Sequence, residues 1–99
     1  MKLSISPRAA RDLEGIGDYI ARDNPERAIS FVREIRQQYR RIARRPGAFP
    51  ARDDLAAGLR MAVHGNYLIL FSILDKTVRV ERIIHGARNL RNAEFGPQE

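Results

Sequence analysis

Residues 82–90, RIIHGARNL, hold side-chain types that could act on a phosphate group. Metal-free cleavage of RNA needs a base for the 2′-hydroxyl proton, a cation for the phosphorane charge and an acid for the leaving oxygen. Arg60 could supply the cation, Arg82 or Arg88 a second one, and His85 could supply the acid. A base is harder to find, because the aspartates at 53–54 follow an arginine in a loop-like segment, where such residues are usually solvated ion-pair partners. The pattern therefore indicates a cation and an acid without a complete nuclease site.

His85 also has a structural interpretation. A histidine at the end of a strand, beside small residues, is more often hydrogen-bonded within the fold than used as a proton shuttle. A metal site is disfavoured, since the chain has no cysteine and only one further histidine, His64. The absence of cysteine also excludes disulfides and thiol catalysis. We expect neither a metal nor a cofactor.

The charge of the chain indicates an anionic partner. The formal net charge is +6, and only Lys2 and Lys76 among the 18 basic residues are lysines. Arginine presents a planar set of donors suited to carboxylates and phosphates, so nucleic acid, an acidic protein or an acidic peptide would fit. A GC-rich genome would also favour arginine over lysine, but it does not explain the net charge. No signal-type segment or membrane-length apolar run is present, and we expect a cytoplasmic protein.

The first half of the chain has the pattern of a short strand and two helices. Residues 2–6 alternate as a strand, and Ser6 with the following proline is typical of a helix start. Asn24 and its proline start a second helix, which RRPG at 44–47 ends. The short connection predicts an antiparallel hairpin. The apolar stripe of the second helix is Ala28, Val32, Ile35, Tyr39 and Ile42.

The second half has the pattern of three strands at 59–64, 67–74 and 77–84, joined by tight turns. In the first of them Leu59, Met61 and Val63 are expected to pack beneath the helices, which would point Arg60 to the exposed face. The predicted fold class is α+β: a small antiparallel sheet packed against an N-terminal antiparallel helical hairpin, in the order β-α-α-β-β-β. We expect one domain over residues 1–99, with a polar tail at 92–99.

An ordered series of motifs covers nearly the whole chain: A-x-x-DLE-x-I-x-x-YI, NP-x-x-A, GLR, GNY and R-x-x-HGARN. In this series the sequence resembles the ParE branch of the RelE/ParE toxin superfamily. The resemblance implies a toxin of a type II toxin–antitoxin module, neutralised by a ParD-like antitoxin whose amphipathic C-terminal part wraps around it. It also implies DNA gyrase as the target, whereas the RelE-like relatives cleave mRNA on the ribosome.

Two departures from the RelE pattern favour a non-enzymatic gyrase inhibitor. RelE-type toxins place lysines ahead of the second strand, where this chain has PARDDLAAG, and they tend to carry a tyrosine near the C-terminus, whereas this chain has none after Tyr67. Two alternatives stay open. One is a ribosome-dependent mRNA endonuclease that uses Arg60 and His85, and the other is a non-toxic family member that only forms the complex.

The resemblance and the charge pattern together give candidate binding residues. We expect an antitoxin helix on the helical hairpin and an extended segment across the sheet. The arginine-rich face of the second helix, at 33–45, is a solvated surface or a contact for an acidic partner or for DNA held by gyrase. Candidates for target or antitoxin binding are Arg60, Arg82, His85, Arg88, Asn89 and Arg91. Apolar candidates for antitoxin docking are Leu13, Ile16, Ile20 and Phe31.

Overall fold

The computed structural model describes residues 1–86, and its elements follow the predicted β-α-α-β-β-β order. The strands are β1 (Lys2–Ile5), β2 (Arg60–His64), β3 (Tyr67–Leu74) and β4 (Thr77–His85), and the helices are α1 (Pro7–Ala21) and α2 (Pro25–Arg44), followed by a 3-10 turn (Pro46–Ala48). The antiparallel helical hairpin packs on one face of the sheet, which confirms the predicted fold class. The predicted tail, 92–99, lies outside the described residues.

Both helices begin at the side chains that the sequence offers as caps. The Ser6 hydroxyl accepts a hydrogen bond from the Ala9 amide at 2.9 Å, and Asn24 Oδ1 accepts one from the Arg27 amide at 3.0 Å. In each case a proline follows, and its missing N–H costs nothing in the first helical turn. These local signals fix where the hairpin turns. No helix within residues 1–86 is long and apolar enough to cross a membrane.

The sheet is mixed, because β1 joins the three-stranded meander in parallel. The strand order is β1-β4-β3-β2, and β1 pairs with β4 from Lys2 opposite Thr77 to Ile5 opposite Val80. The meander itself is antiparallel, as predicted. The helical hairpin separates β1 from the meander in the sequence. The last strand of the meander, β4, then lies beside β1 and pairs with it in parallel.

The main core lies between the hairpin and the sheet. The central strands β3 and β4 and the buried face of α2 supply most of it, and Ala9 of α1 and Ala62 of β2 complete it. The fully buried members of this core are Ala9, Ile35, Ile42, Ile69, Phe71, Val78, Val80 and Ile83.

A second, smaller core lies on the opposite face of the sheet and corrects the predicted orientation of β2. Leu59 and Met61 belong to this second core, with Leu55 and Ala56 of the preceding loop packed against it. Val63 is 57% exposed, and it is Ala62 that lies beneath the helices. The prediction that Leu59, Met61 and Val63 pack under the helices is therefore wrong. Apolar residues pack on both faces of the sheet here, so the apolar pattern of β2 does not distinguish the faces.

Candidate binding surfaces

Arg82 is held by α1 where the pairing of β1 ends. Its Nε and Nη2 donate to the two Asp12 carboxylate oxygens at 2.8 and 3.1 Å, and the Ile83 amide donates to Asp12 Oδ2 at 3.0 Å. Because β1 ends at Ile5, opposite Val80, this amide has no strand partner on that edge, and Asp12 takes its place. The side chains of Arg82 and Asp12 are only 18% and 16% exposed. Arg82 is thus a structural cation that ties β4 to α1.

A β-bulge accompanies this change of partner along β4. Leu70 of β3 faces Arg82, while the next residue, Phe71, faces Val80, so that Glu81 is the extra residue. Glu81 accepts hydrogen bonds from the Ser72 hydroxyl at 2.7 Å and from Arg79 Nε at 3.2 Å. The carboxylate beside Arg82 in sequence is therefore used by Arg79.

Arg60 is also held within the fold. It lies on the same side of β2 as Ala62, which faces the helices, and its Nη1 donates to the Phe49 carbonyl at 2.7 Å. The prediction that Arg60 points to the face away from the helices is wrong, because the side of β2 that carries Arg60 and Ala62 is the one that faces the helices. The Phe49 ring stands edge-on to Phe71, with centroids 5.8 Å apart, and packs against the main core. Arg60 therefore fixes the backbone of a residue whose side chain contacts that core. Arg60 and Arg82, both candidates for target or antitoxin binding, therefore each have an internal partner.

His85 lies in an aromatic cluster that the sequence analysis did not identify. His64, Tyr67 and His85 lie opposite one another across β2, β3 and β4. The rings of Tyr67 and His85 are edge-on at 5.1 Å, and the His85 Nδ1 is buried with no hydrogen-bond partner among residues 1–86. Phe31 of α2 packs edge-on against Tyr67 and His64 at 5.1 and 5.8 Å.

This cluster corrects the role expected for Phe31. The side chain is only 3% exposed and belongs to the main core, so it offers no surface to an antitoxin. Of the other apolar docking candidates, Leu13, Ile16 and Ile20 are partly buried against the same core. The large apolar residues that the hairpin does expose are Tyr19 and Ile29.

Glu34 links α2 to the end of β2 through two basic side chains. Arg27 donates to both of its carboxylate oxygens at 2.7 and 3.2 Å, and His64 Nε2 lies 3.0 Å from Glu34 Oε1. Arg27, and then His64, lower the pKa of Glu34 from its ordinary value. The spacing of Arg27 and Glu34, two turns apart on one helix face, was a signal in the sequence that periodicity of apolar residues does not detect.

We expect Glu34 to contribute stability at neutral pH that is lost in acid. A carboxyl whose pKa is lowered by folding stabilises the protein above its unfolded-state pKa, here near 4.5, and that contribution disappears as the pH falls below it. The wild type should therefore have a higher urea midpoint than Glu34→Gln at pH 6, and the two midpoints should converge toward pH 3. Glu14→Gln, which removes a carboxylate with no ion pair in residues 1–86, is the matched control. A difference that widened in acid would contradict this assignment.

A groove runs between α1 and α2, lined by residues from 10–21 and 25–40 together with Ile5; we call it the hairpin groove. Its volume is about 980 Å³, and it is open to solvent. The helices come close at Gly17, where a Cβ atom would lie 3.6 Å from Val32 Cγ2. Leu13 lines the groove, so one of the predicted docking residues faces it. Ile16 and Ile20 are not among its lining residues.

The remaining predicted site residues, Arg88, Asn89 and Arg91, lie outside the described residues. Within residues 1–86 there is no group of three or more histidines, aspartates or glutamates placed to hold a metal ion. The described candidates for binding are therefore the hairpin groove and the surface around the aromatic cluster.

Comparisons with known proteins match the same family of toxins along nearly the whole chain. The family model described as ParE toxin of type II toxin-antitoxin system, parDE, matches residues 3–90. Toxin ParE1 of Caulobacter vibrioides is 32% identical over 90 residues, which are 88% of this chain and 91% of that protein.

Two solved structures share the fold. A chain of the chromosomal ParDE system from P. aeruginosa matches with a TM-score of 0.77 at 24% identity, over 87% of this chain and 96% of that chain. A chain of the toxin-antitoxin complex RelBE2 from Mycobacterium tuberculosis matches with a TM-score of 0.62 at 26% identity, over 85% of this chain and 95% of that chain.

Proposed function

Because the chain belongs to the ParE family of toxins of type II toxin–antitoxin systems, we propose that it inhibits DNA gyrase by binding it and is neutralised by a ParD-like antitoxin. The observation that favours binding over RNA cleavage is the placement of the two candidate cations. Arg82 is paired with Asp12, and Arg60 donates to the Phe49 carbonyl. A catalytic cation must instead be directed at the charge that develops on the substrate.

The antitoxin is proposed to dock an amphipathic helix on the helical hairpin and to lay an extended segment across the sheet. The hairpin groove supports the first contact, because it is long, open and partly apolar, and Ile29 on its rim is 63% exposed. We place the toxin and its gyrase target in the cytoplasm.

A second candidate function is ribosome-dependent mRNA cleavage with His85 as the acid and Arg60 as the cation. Two observations favour it: the fold is shared with a chain of the RelBE2 complex, and the His85 ring has a nitrogen without a partner in the described residues. It would require Arg60 to leave the Phe49 carbonyl when RNA binds. The third possibility, a complex-forming protein without toxicity, needs neither site.

A gyrase assay with the purified toxin tests the proposal. We expect inhibition of supercoiling and accumulation of cleaved DNA, with reversal by the antitoxin and no cleavage of RNA by toxin-treated ribosomes. His85→Ala separates the two mechanisms, because a catalytic acid typically contributes a factor of about 10²–10⁴. RNA cleavage that His85→Ala abolishes, with gyrase unaffected, would overturn the proposal. Absence of both effects, with no growth arrest on expression without antitoxin, would identify a non-toxic complex-former.

A further inference from the structure

The hairpin groove changes character along its length. The helices are antiparallel and approach each other at Gly17 and Val32. Toward the connection at 22–24 the lining is mainly apolar and includes Ala21, Ala28 and Ile29, with Asp18 as a charged residue among them. In the other direction it becomes charged, and Tyr39 lies near that end with Ile5. A partner that fills the groove therefore meets mainly apolar residues at one end and mainly charged residues at the other.

The charges at that end are mainly positive. Arg36 and Arg40 of α2 line this part of the groove, both are exposed, and neither forms an ion pair within residues 1–86. Arg33 continues the same row one turn earlier. Across the groove α1 presents Glu14, which is likewise unpaired in the described part of the chain. A carboxylate on the partner would face α2 rather than α1.

Tyr39 provides a second, independent indication of a ligand. Its side chain is 5% exposed and lines the groove, and its hydroxyl has no hydrogen-bond partner among the described residues. Burial, with the nearby Asp12 carboxylate, raises the pKa of Tyr39 to about 12, so the hydroxyl stays protonated at neutral pH. A buried O–H without an acceptor destabilises the protein that contains it, and an acceptor that arrives with a partner removes this penalty.

The acceptor has no evident source within residues 1–86. Asp12 is the carboxylate that acts on Tyr39, but its oxygens accept from Arg82 and from the Ile83 amide and not from the Tyr39 hydroxyl. Arg36, the other charged group that acts on Tyr39, has only donors. Its side chain is long and exposed, so it can move toward a ligand without a change in the backbone.

We propose that this end of the hairpin groove is a carboxylate subsite for an acidic side chain of the antitoxin's docking helix. Tyr39 donates its hydroxyl to the carboxylate, and Arg36 and Arg40 neutralise it. The apolar residues of the same helix lie over Ala28 and Ile29, so the subsite fixes the direction in which the helix runs. The inference rests on the proposed function, because it names the contact by which the proposed antitoxin is recognised.

Tyr39→Phe is the first test, since it removes only the hydroxyl. The toxin and the antitoxin encoded beside it are purified, and their dissociation constant is measured together with the thermal midpoint of the free toxin. We expect about tenfold weaker binding or more, because a hydrogen bond to a charged acceptor is lost. The free toxin should be as stable as the wild type or slightly more so. A Tyr39→Phe toxin that is less stable when free would show that the chain itself supplies the acceptor, and would overturn the subsite.

Arg36→Gln and Arg41→Gln form a matched pair for the charge. Both arginines are exposed on α2, but Arg41 does not line the hairpin groove. We expect Arg36→Gln to weaken antitoxin binding about three- to tenfold, with a smaller dependence on salt than the wild type, and Arg41→Gln to have no effect. Equal effects of the two substitutions would indicate a general attraction to charge and would overturn the subsite while leaving the antitoxin complex intact.

Other occupants of the groove give distinct results. If the wild type does not bind the antitoxin, the proposed function and the subsite both fail. If the toxin alone forms a dimer that Arg36→Gln disrupts, the occupant is a second copy of the chain. If Arg36→Gln weakens binding to a DNA duplex and leaves antitoxin affinity unchanged, the arginines serve nucleic acid. Each of these last two results would overturn the carboxylate subsite.

Discussion

Replacing Phe71 by alanine is expected to lower the free energy of unfolding by about 3–5 kcal/mol, the usual range for deleting a fully buried aromatic side chain. Phe71 lies in the central strand β3, has no exposed surface and meets the ring of Phe49 edge-on. The cavity would also remove the ring contact of Phe49, the residue whose carbonyl accepts a hydrogen bond from Arg60. Since small domains have only about 5–15 kcal/mol in total, much of this protein's stability should be lost.

Urea denaturation followed by circular dichroism measures this effect, with two further variants for comparison. Leu74→Ala, at the exposed end of the same strand, should change the free energy by less than about 0.5 kcal/mol. Phe71→Leu, which leaves a smaller cavity, should lie between the two. A Phe71→Ala protein no less stable than Leu74→Ala would mean that the main core is not centred on β3.

The second large effect is expected at Asp12. Asp12→Ala removes the acceptor of the Arg82 guanidinium and of the Ile83 amide, both of which are largely shielded from water. Loss of one partner from a buried pair costs about 3–5 kcal/mol, and the partial exposure of this pair reduces the expectation to about 2–4 kcal/mol. For a domain of this size that corresponds to a fall in the thermal midpoint of at least roughly 8 °C.

Calorimetry of Asp12→Ala, Asp18→Ala and the double variant Asp12→Ala/Arg82→Met tests this explanation. Asp18 is exposed on the same helix, and its removal should leave the midpoint within 2–3 °C of the wild type, on the order expected for a surface substitution. Arg82→Met removes the unpaired charge and should restore part of the stability that Asp12→Ala loses. If the double variant were far less stable than Asp12→Ala alone, Arg82 would have another essential partner.

The elements of the fold could be predicted because their signals are local. Ser6 and Asn24 are followed by prolines, and both cap the helices that the sequence indicated. The turn at 75–76 has two residues with positive φ, Asp75 at 51° and Lys76 at 61°, as a tight hairpin requires. Each of these features is set by neighbours a few residues apart, so a single sequence is enough to identify it.

The faces of β2 could not be predicted, because apolar side chains pack against both faces of the sheet at this strand. Large apolar side chains at Leu59 and Met61 suggested the main core, but the preceding loop folds back and gives these residues a core of their own. The small Ala62 takes the position under the helices. Which layer covers which face depends on the path of the loop at 50–58, and nothing in the alternation of β2 encodes that path.

The polar contacts of the candidate sites were missed for a related reason. Asp12 and Arg82 are 70 residues apart in the chain, and Glu34 and His64 are 30 apart. Sequence reasoning assigned Arg82 to binding, since an arginine that is unpaired in its local sequence has the same appearance whether its partner is in the fold or on another molecule. The parallel pairing of β1 with β4 brings distant residues together in the same way.

That parallel pairing also determines when the sheet can form during synthesis of the chain, because β1 is made first and its partner β4 is made last. Residues 2–5 pair with 77–80, and the Ser6 hydroxyl donates to the Glu81 carbonyl, 75 residues further along the chain. At typical translation rates of about 5–20 residues per second, β1 waits roughly 4–15 seconds for β4 to be made. The helical hairpin, whose contacts are local, can form during this interval. If the proposed antitoxin binds the hairpin groove, it can meet a nascent toxin of this topology at the ribosome, before the sheet closes.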